Sequence, residues 1–258
     1  MKISIITIVF NRVNVIKDTI ESVLGQTYEN IEYIIIDGLS TDGTIDVVNE
    51  YKDRINKIIS EPDKGLYDAI NKGIKQATGD VIGLIHSDDF YTDNQVIQRV
   101  VDVFKKDNKD SVFGDLLYIK DDNHDKVLRY YSAKKFTPEK LIYGLMPPHP
   151  TFFCKKEIYE KYGLYKTDYI IAADYEMLFR LLYTYKVTYS YIHFPLIKMR
   201  TGGLSAGGIK NKILINREVI RAMKENGQYS NHLFILKKYP EKILEIIKGY
   251  VYNFLIKR

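Results

Sequence analysis

The sequence predicts an α/β protein: a Rossmann-like, mainly parallel central sheet flanked by helices, followed by a helical C-terminal extension. Three observations carry this prediction. Short β-branched apolar runs alternate with segments of helical period through the first 118 residues. Those runs are uninterrupted, as strands covered on both faces are, and do not switch residue by residue between apolar and polar. The chain has 258 residues, 45% apolar and 28% charged. That length allows roughly 70% of the unfolded surface to be buried in a core that needs no staples.

The first strand is expected at residues 2–10. The opening MKISIITIVF has the lysine-then-apolar order of a secretion signal but lacks a small-residue cleavage site. Its isoleucines run up to Asn11, so it reads as a buried strand. Further strands are expected at Ile31–Asp37, Lys57–Ser60, 80–86 and 111–118, with helices at 15–24, 45–51, 67–76 and 96–105. Thr41-Asp42-Gly43-Thr44 opens the second helix, because Thr and Asp side chains accept its first free amide hydrogens. Beyond residue 118 the alternation stops. Residues 120–126 are polar and charged and read as a loop. Pro147-Pro148-His149-Pro150 supports no continuous helix or strand. Helices are expected at 155–162 and 173–184 and a strand at 187–197. Residues 201–208 hold four glycines and read as a mobile loop, after which helices close the chain from about residue 210. The expected division is a domain at 1–208, with halves 1–118 and 119–208, and an extension at 209–258.

Composition excludes several function classes. Cys154 is the only cysteine, so there is no disulfide framework and no CxxC site. No stretch of eighteen apolar residues is present to span a membrane. Lys plus Arg (38) less Asp plus Glu (33) leaves +5. Residues 237–258 hold six basic and two acidic groups and carry +4 of that, leaving +1 for the rest. This is not a uniformly basic nucleic-acid face, and the 22 tyrosines lack interleaved basic clusters. The five histidines show no zinc-ligand spacing, and neither a P-loop nor a GxGxxG fingerprint occurs.

In open sheets of this kind ligands sit beyond the carboxyl ends of the strands. The polar residues just after each apolar run are Asn11, Asp37, the Glu61–Lys64 segment and Ser87-Asp88-Asp89. Adjacent carboxylates such as Asp88 and Asp89 repel, and a cation, a helix N-terminus or solvent must offset them. Mg²⁺ and Mn²⁺ take one or two carboxylates and leave positions for substrate phosphates. The plainer role of Asp88-Asp89 is to cap a turn, and their strand-end position favours the cation.

Four stretches in order resemble the nucleotide-sugar-binding motifs of the family-2 glycosyltransferases. They are Ile5-Ile6-Thr7-Ile8-Val9-Phe10-Asn11, Ile36-Asp37-Gly38-Leu39-Ser40-Thr41-Asp42-Gly43-Thr44, the block from Glu61 to Gly73, and Ser87-Asp88-Asp89. The resemblance covers about residues 1–205, and the third block is similar to the branch that builds bacterial surface polysaccharide such as capsule or lipopolysaccharide. It implies a GT-A fold, a nucleotide-diphosphate sugar donor with UDP first among the nucleotides, and Mn²⁺ or Mg²⁺. By position it implies that Asp37 contacts the base, Asp88 the ribose and Asp89 the metal. Phe10 stands where an aromatic stacks near the base, with Thr7 and Asn11 on the same rim. Lys64, Tyr67, Asp68 and Asn71 stand where the family approaches the nucleotide and phosphates, or else fix their own loop. His86 departs from the asparagine or alanine usual before the acidic pair.

Ala173-Asp174-Tyr175-Glu176 resembles the segment holding the family's general base, with Ala173 in place of the usual acid. Asp174 is the implied base, deprotonating an acceptor hydroxyl; its plainer role is a helix cap. A base opposite the leaving group implies inversion at C1. Glu176, two positions on, falls on another helix face. His149 reads equally as an acceptor contact and as a structural residue of a rigid turn, and His193 as a core residue of its strand. Gly202-Gly203-Leu204-Ser205 resembles a loop that closes over the donor. The implied acceptor is a saccharide or polyprenol-linked saccharide hydroxyl, with no nucleic acid as partner. The implied location is the cytoplasm, up to the inner face of the cell membrane. In the tail, Ile243, Ile246, Ile247, Tyr250, Val251, Phe254 and Leu255 fall at helical spacing, with Lys242, Glu245 and Lys248 on another face. That helix serves either to pack on the domain or to touch a membrane. Two rivals stand beside the transferase: a non-catalytic module of the same fold that binds nucleotide sugar or a partner enzyme, and a nucleotidyltransferase. Asn11-Arg12-Val13-Asn14 lacks the glycine-rich loop that the second rival needs.

Overall fold

The computed structural model describes residues 1–121, 123–201, 208–236 and 238–256. Strands β1 (Ile3–Val9), β2 (Ile31–Asp37), β3 (Lys57–Ser60) and β4 (Val81–His86) are linked by α1 (Ile16–Leu24), α2 (Thr44–Asn49) and α3 (Leu66–Gln76). Then follow β5 (Asp89–Tyr91), α4 (Val96–Asp107), β6 (Ser111–Lys120), β7 (Asn123–Tyr131), β8 (Phe153–Lys155) and α5 (Lys156–Tyr162). The chain continues through α6 (Ala173–Leu178), β9 (Tyr189–Arg200), α7 (Gly208–Glu225), α8 (His232–Leu236) and α9 (Lys238–Ile256).

The strands form one sheet in the order β3-β2-β1-β4-β8-β6-β9-β5, with β7 also paired to β6. β3, β2, β1 and β4 run parallel, as the β-branched runs predict; β1, β2 and β4 are buried and the outer β3 is partly exposed. The short β8 joins β4 to β6 in antiparallel pairing. β6 pairs in parallel with β9 along one edge, while β8 and then β7 share its other edge. Alternate residues of the central strands feed two cores. Ile6, Ile8, Ile34 and Ile36 pack toward α3 and α6. Ile3, Ile5, Val9, Tyr33 and Ile35 pack toward α1 and α4. α1 meets them with Ile16, Ile20 and Val23, spaced to share a helical face. α3 approaches so closely that a Cβ on Gly73 would lie 2.4 Å from Ile6 Cγ2.

Two expectations are overturned. Residues 123–126, expected in a loop, begin β7, which forms a hairpin with β6 and closes at the Lys120–Asn123 pair. Its polar residues face solvent on an outer strand, where the loop-like composition costs little. His193, expected in the core, is exposed on β9 between buried Ile192 and Pro195. The helix expected at 173–184 starts as α6 and widens into a π-helical turn over Phe179–Thr184. The proline-rich stretch yields a single 3-10 turn at His149–Thr151.

Candidate active site

The register aligns the strand ends that the sequence marks. Val9 pairs with Asp37, Asp37 with Ser60, and Ile8 with His86. β1 lies between β2 and β4, so the strand order turns there and a crevice opens beyond the carboxyl ends.

On the β2 side Asp37 is fully buried. Its Oδ2 accepts the Ser60 hydroxyl at 2.6 Å, and Ser40 bonds it through both hydroxyl and amide. Asn11 adopts a left-handed backbone (φ 51°), as Asn tolerates. From there its Oδ1 accepts the Thr41 amide at 2.9 Å and its own amide donates to Ser40 Oγ at 2.9 Å. Asp37, Ser40 and Asn11 therefore lock the two loops into one rim. Phe10 projects from it, 58% exposed and packed beside Gly38. Thr7 is not on that rim. It shares the inward face of β1 with Ile5 and Val9, is fully buried, and holds the Tyr33 hydroxyl at 3.1 Å.

The third block divides. Lys64 is exposed, and its amide donates to Asp68 Oδ2 at 3.0 Å. Lys72 ties the loop together through Asp63 at 2.7 Å and Glu61 at 2.9 Å. Tyr67 and Asn71 turn away to the second half of the chain. The Tyr67 hydroxyl donates to the Ile171 carbonyl, and Asn71 holds both the carbonyl (2.8 Å) and the amide (3.0 Å) of Tyr165. They fasten α3 to the segment that precedes α6.

On the β4 side Asp88 is partly exposed and Asp89 fully buried. Neither carboxylate oxygen of Asp89 makes a hydrogen bond. Burial pushes this carboxyl well above the usual range and the Asp88 charge adds to it, while Arg200 opposes. Among the described residues no cluster of three or more His, Cys, Asp or Glu is poised to hold an ion alone. A fully buried carboxylate without a hydrogen-bond partner, next to a second acid in the chain, has the hard oxygen donors that Mg²⁺ or Mn²⁺ takes.

Arg200, at the end of β9, donates to the Asp88 carbonyl at 2.9 Å, pairs with Asp18 and Asp121, and stacks over Phe90. It borders an open cleft of about 660 Å³ together with Asn14, Asp18 and Asp121. Sequence reading missed Arg200. Applying the strand-end rule to the strand expected at 187–197 points to its neighbourhood.

Asp174 lies in the first turn of α6, where its Oδ1 accepts the Tyr175 amide at 2.7 Å. Burial raises its pKa to about 6, with the Glu218 charge adding and backbone hydrogen bonds opposing. Glu218, on α7, accepts the successive amides of Ile170, Ile171 and Ala172 at 2.7–2.9 Å and so fixes the turn that presents Asp174. No local pattern marks Glu218 in the sequence, because its partners lie 46 to 48 residues away. Burial raises the pKa of the Tyr118 hydroxyl on β6, with Arg129 opposing and the Asp89, Glu245 and Asp174 charges adding. Glu176 is fully buried against Arg180 at 3.1 Å and Lys166 at 3.2 Å, so it supports α6 from behind. His149 is buried with Nε2 2.8 Å from the Tyr165 hydroxyl, and burial beside His86 lowers its pKa to about 3. It is neutral at physiological pH. The segment from Gly202 to Ser205 lies outside the described residues.

Residues 4–163 match the family model described as Glycosyl transferase family 2. The chain is 28% identical over 259 residues to an uncharacterized glycosyltransferase of Rickettsia typhi, covering 98% of this chain and 77% of that protein. The structure of S. aureus TarS 1-349 in complex with UDP-GlcNAc superposes with a TM-score of 0.65 at 16% identity, covering 96% of this chain and 79% of that one. Mannosyltransferase PcManGT from Pyrobaculum calidifontis, in complex with GDP-Man and Mn²⁺, superposes with a TM-score of 0.63 at 18% identity, covering 87% and 63%. At such identities the superpositions speak for the fold, which is the GT-A architecture.

Proposed function

The chain belongs to glycosyl transferase family 2, and we propose that it is an inverting, metal-dependent member. Its donor in this reading is a nucleotide-diphosphate sugar, UDP-linked first, and its acceptor is a hydroxyl of a saccharide or lipid-linked saccharide in surface-polysaccharide assembly. Residues 1–208 form the transferase domain in this reading, with donor (1–118) and acceptor (119–208) halves, and 209–258 form the extension. The observation that carries the reading is Asp89, a fully buried carboxylate with no hydrogen bond, set beyond β4 beside Asp88.

In this reading Asp37 and Asn11 hold the rim that takes the base, Phe10 stacks on it, Asp88 receives the ribose and Asp89 holds the ion. Lys64 and Asp68 stand at the mouth. A bound Mg²⁺ or Mn²⁺ neutralises charge on the departing diphosphate. Asp174 takes the proton of the acceptor hydroxyl as that oxygen attacks C1 from the face opposite the diphosphate, which inverts the anomeric centre. A pKa of about 6 leaves it ionised yet basic near neutrality. The nucleotide sugars and Mn²⁺ held by proteins of similar fold support this choice of ligands.

Calorimetric titration of UDP and GDP, with and without Mn²⁺, into the native protein and Asp89→Ala tests it. Metal-dependent binding of one nucleotide, lost in the variant, is expected. Binding that ignores both the metal and the substitution would favour the non-catalytic module.

A further inference from the structure

The last helix is mounted with its polar side inward. α9 lies along the outer edge of β7 and holds it through a stripe of polar and small residues. Asn253 bonds both backbone groups of Val127, donating to the carbonyl and accepting the amide at 2.9 Å. It thereby satisfies strand-edge groups that an open sheet leaves unpaired. Glu245, 6% exposed, pairs with Arg129. Gly249 sits so close that a Cβ there would lie 2.9 Å from the Arg129 backbone. Positions 245, 249 and 253 fall on one face of the helix. The opposite face carries Ile243 (61% exposed), Ile247 (53%) and Tyr250 (70%), flanked by Leu244, Ile246 and Val251 at 44–56%.

We infer that this outward face of α9 docks the protein on an anionic lipid surface. Two observations select lipid over a second copy of the chain. The apolar face is broad, with flanking residues on both sides of the central stripe, whereas a helix-pairing seam is narrow. A flat bilayer interface accepts that breadth. The charge also complements anionic headgroups. The tail carries six basic against two acidic residues; Glu245 is held by Arg129 and Lys238 by Asn216 inside the fold, which leaves five basic residues of the sequence against one acidic, with Lys248 exposed. No helix among the described residues is long and apolar enough to cross a membrane, so contact is peripheral. The inference does not depend on the donor or the chemistry of the crevice.

Sedimentation of the full chain with vesicles of phosphatidylcholine, with and without phosphatidylglycerol, tests it. The comparison is between native protein and the double variant Ile247→Ser, Tyr250→Ser. Both positions face away from β7, so thermal unfolding and gel filtration of the variant should match the native protein and certify its fold. The native chain is expected to pellet with the phosphatidylglycerol vesicles and to be released by added salt. The variant's partition coefficient should fall about tenfold or more. Equal partitioning of the two proteins would overturn the inference. So would a native dimer in solution that the variant dissolves, with no vesicle binding by either.

Discussion

Asp174→Asn separates the two roles open to this residue, and the structure sets the size of each effect. The carboxyl titrates at about 6 against an ordinary 3.8 because burial disfavours its charge. The difference of roughly two units corresponds to about 3 kcal/mol against ionising it in place at neutral pH. The folded chain thus binds this proton more tightly than the unfolded chain does. Its favourable contribution is complete below about pH 4 and is lost as pH rises through about 6. The amide cannot ionise, and its oxygen can still accept the Tyr175 amide. Asp174→Asn is therefore expected to raise stability by up to about 3 kcal/mol at pH 7 to 8 and to leave it unchanged near pH 4. Activity should move the other way, by roughly 10²- to 10⁴-fold, since the acceptor hydroxyl loses its base. The assay is nucleotide release with the donor that calorimetry selects, followed between about pH 5 and 8, alongside urea unfolding at the same pH values. The native enzyme should show a rising limb centred near 6. A variant that keeps activity within about tenfold, or that keeps the rising limb, would remove Asp174 from the base position. A variant that loses stability at neutral pH would make the carboxylate a cap.

Two further substitutions probe the frame around the site. Gly73→Ala should cost roughly 1–3 kcal/mol of stability in denaturant unfolding. Its Cβ would meet Ile6 Cγ2 at 2.4 Å in the packed contact between α3 and β1; nucleotide binding measured on the folded fraction should not change. Glu218→Gln removes a charge that raises the Asp174 pKa, so the midpoint of the pH–rate limb should move below about 6. Because the same side chain receives three consecutive amides, proteolysis near residues 170–172 should quicken in that variant.

The first 118 residues were legible because their strands are β-branched runs stopped by turn residues. Ile31–Asp37 and Lys57–Ser60 appear with the expected bounds. The later half hid its strands for different reasons. β5 and β8 have three residues each, too few to display a period, and β8 reaches the sheet only through long-range pairing. β7 is polar at its start because it is an outer strand, and local composition does not distinguish that from a loop. The strand-end rule singled out Asp37, Asp88 and Asp89, and the structure sets them at or just past the ends of β2 and β4. Thr7, put on the rim by the resemblance and not by that rule, lies inside β1, whose residues are buried on both faces. Tyr67 and Asn71 were drawn to the nucleotide by position along the motif. Their partners, Ile171 and Tyr165, lie 104 and 94 residues away and leave no trace in the local sequence.

Asp37 and Asp89 make the argument for the site in its sharpest form. Both are aspartates at strand ends of one crevice, and both are fully buried. Asp37 is satisfied by Ser40 and Ser60, which come from the adjoining loop and the adjoining strand. Asp89 has Thr19 within reach, yet that hydroxyl donates to the Asp89 backbone carbonyl at 2.7 Å and leaves the carboxylate bare. A fold able to place a donor on the backbone atom and not on the side chain tolerates a cost that an apolar residue would avoid, since a buried carboxyl without partners either holds its proton and leaves polar atoms unsatisfied or ionises at a still greater cost. Selection for stability alone would replace it. Under the proposed function the same open valence becomes the reason the residue is kept: it is where the cation accompanying a nucleotide diphosphate supplies the missing partner.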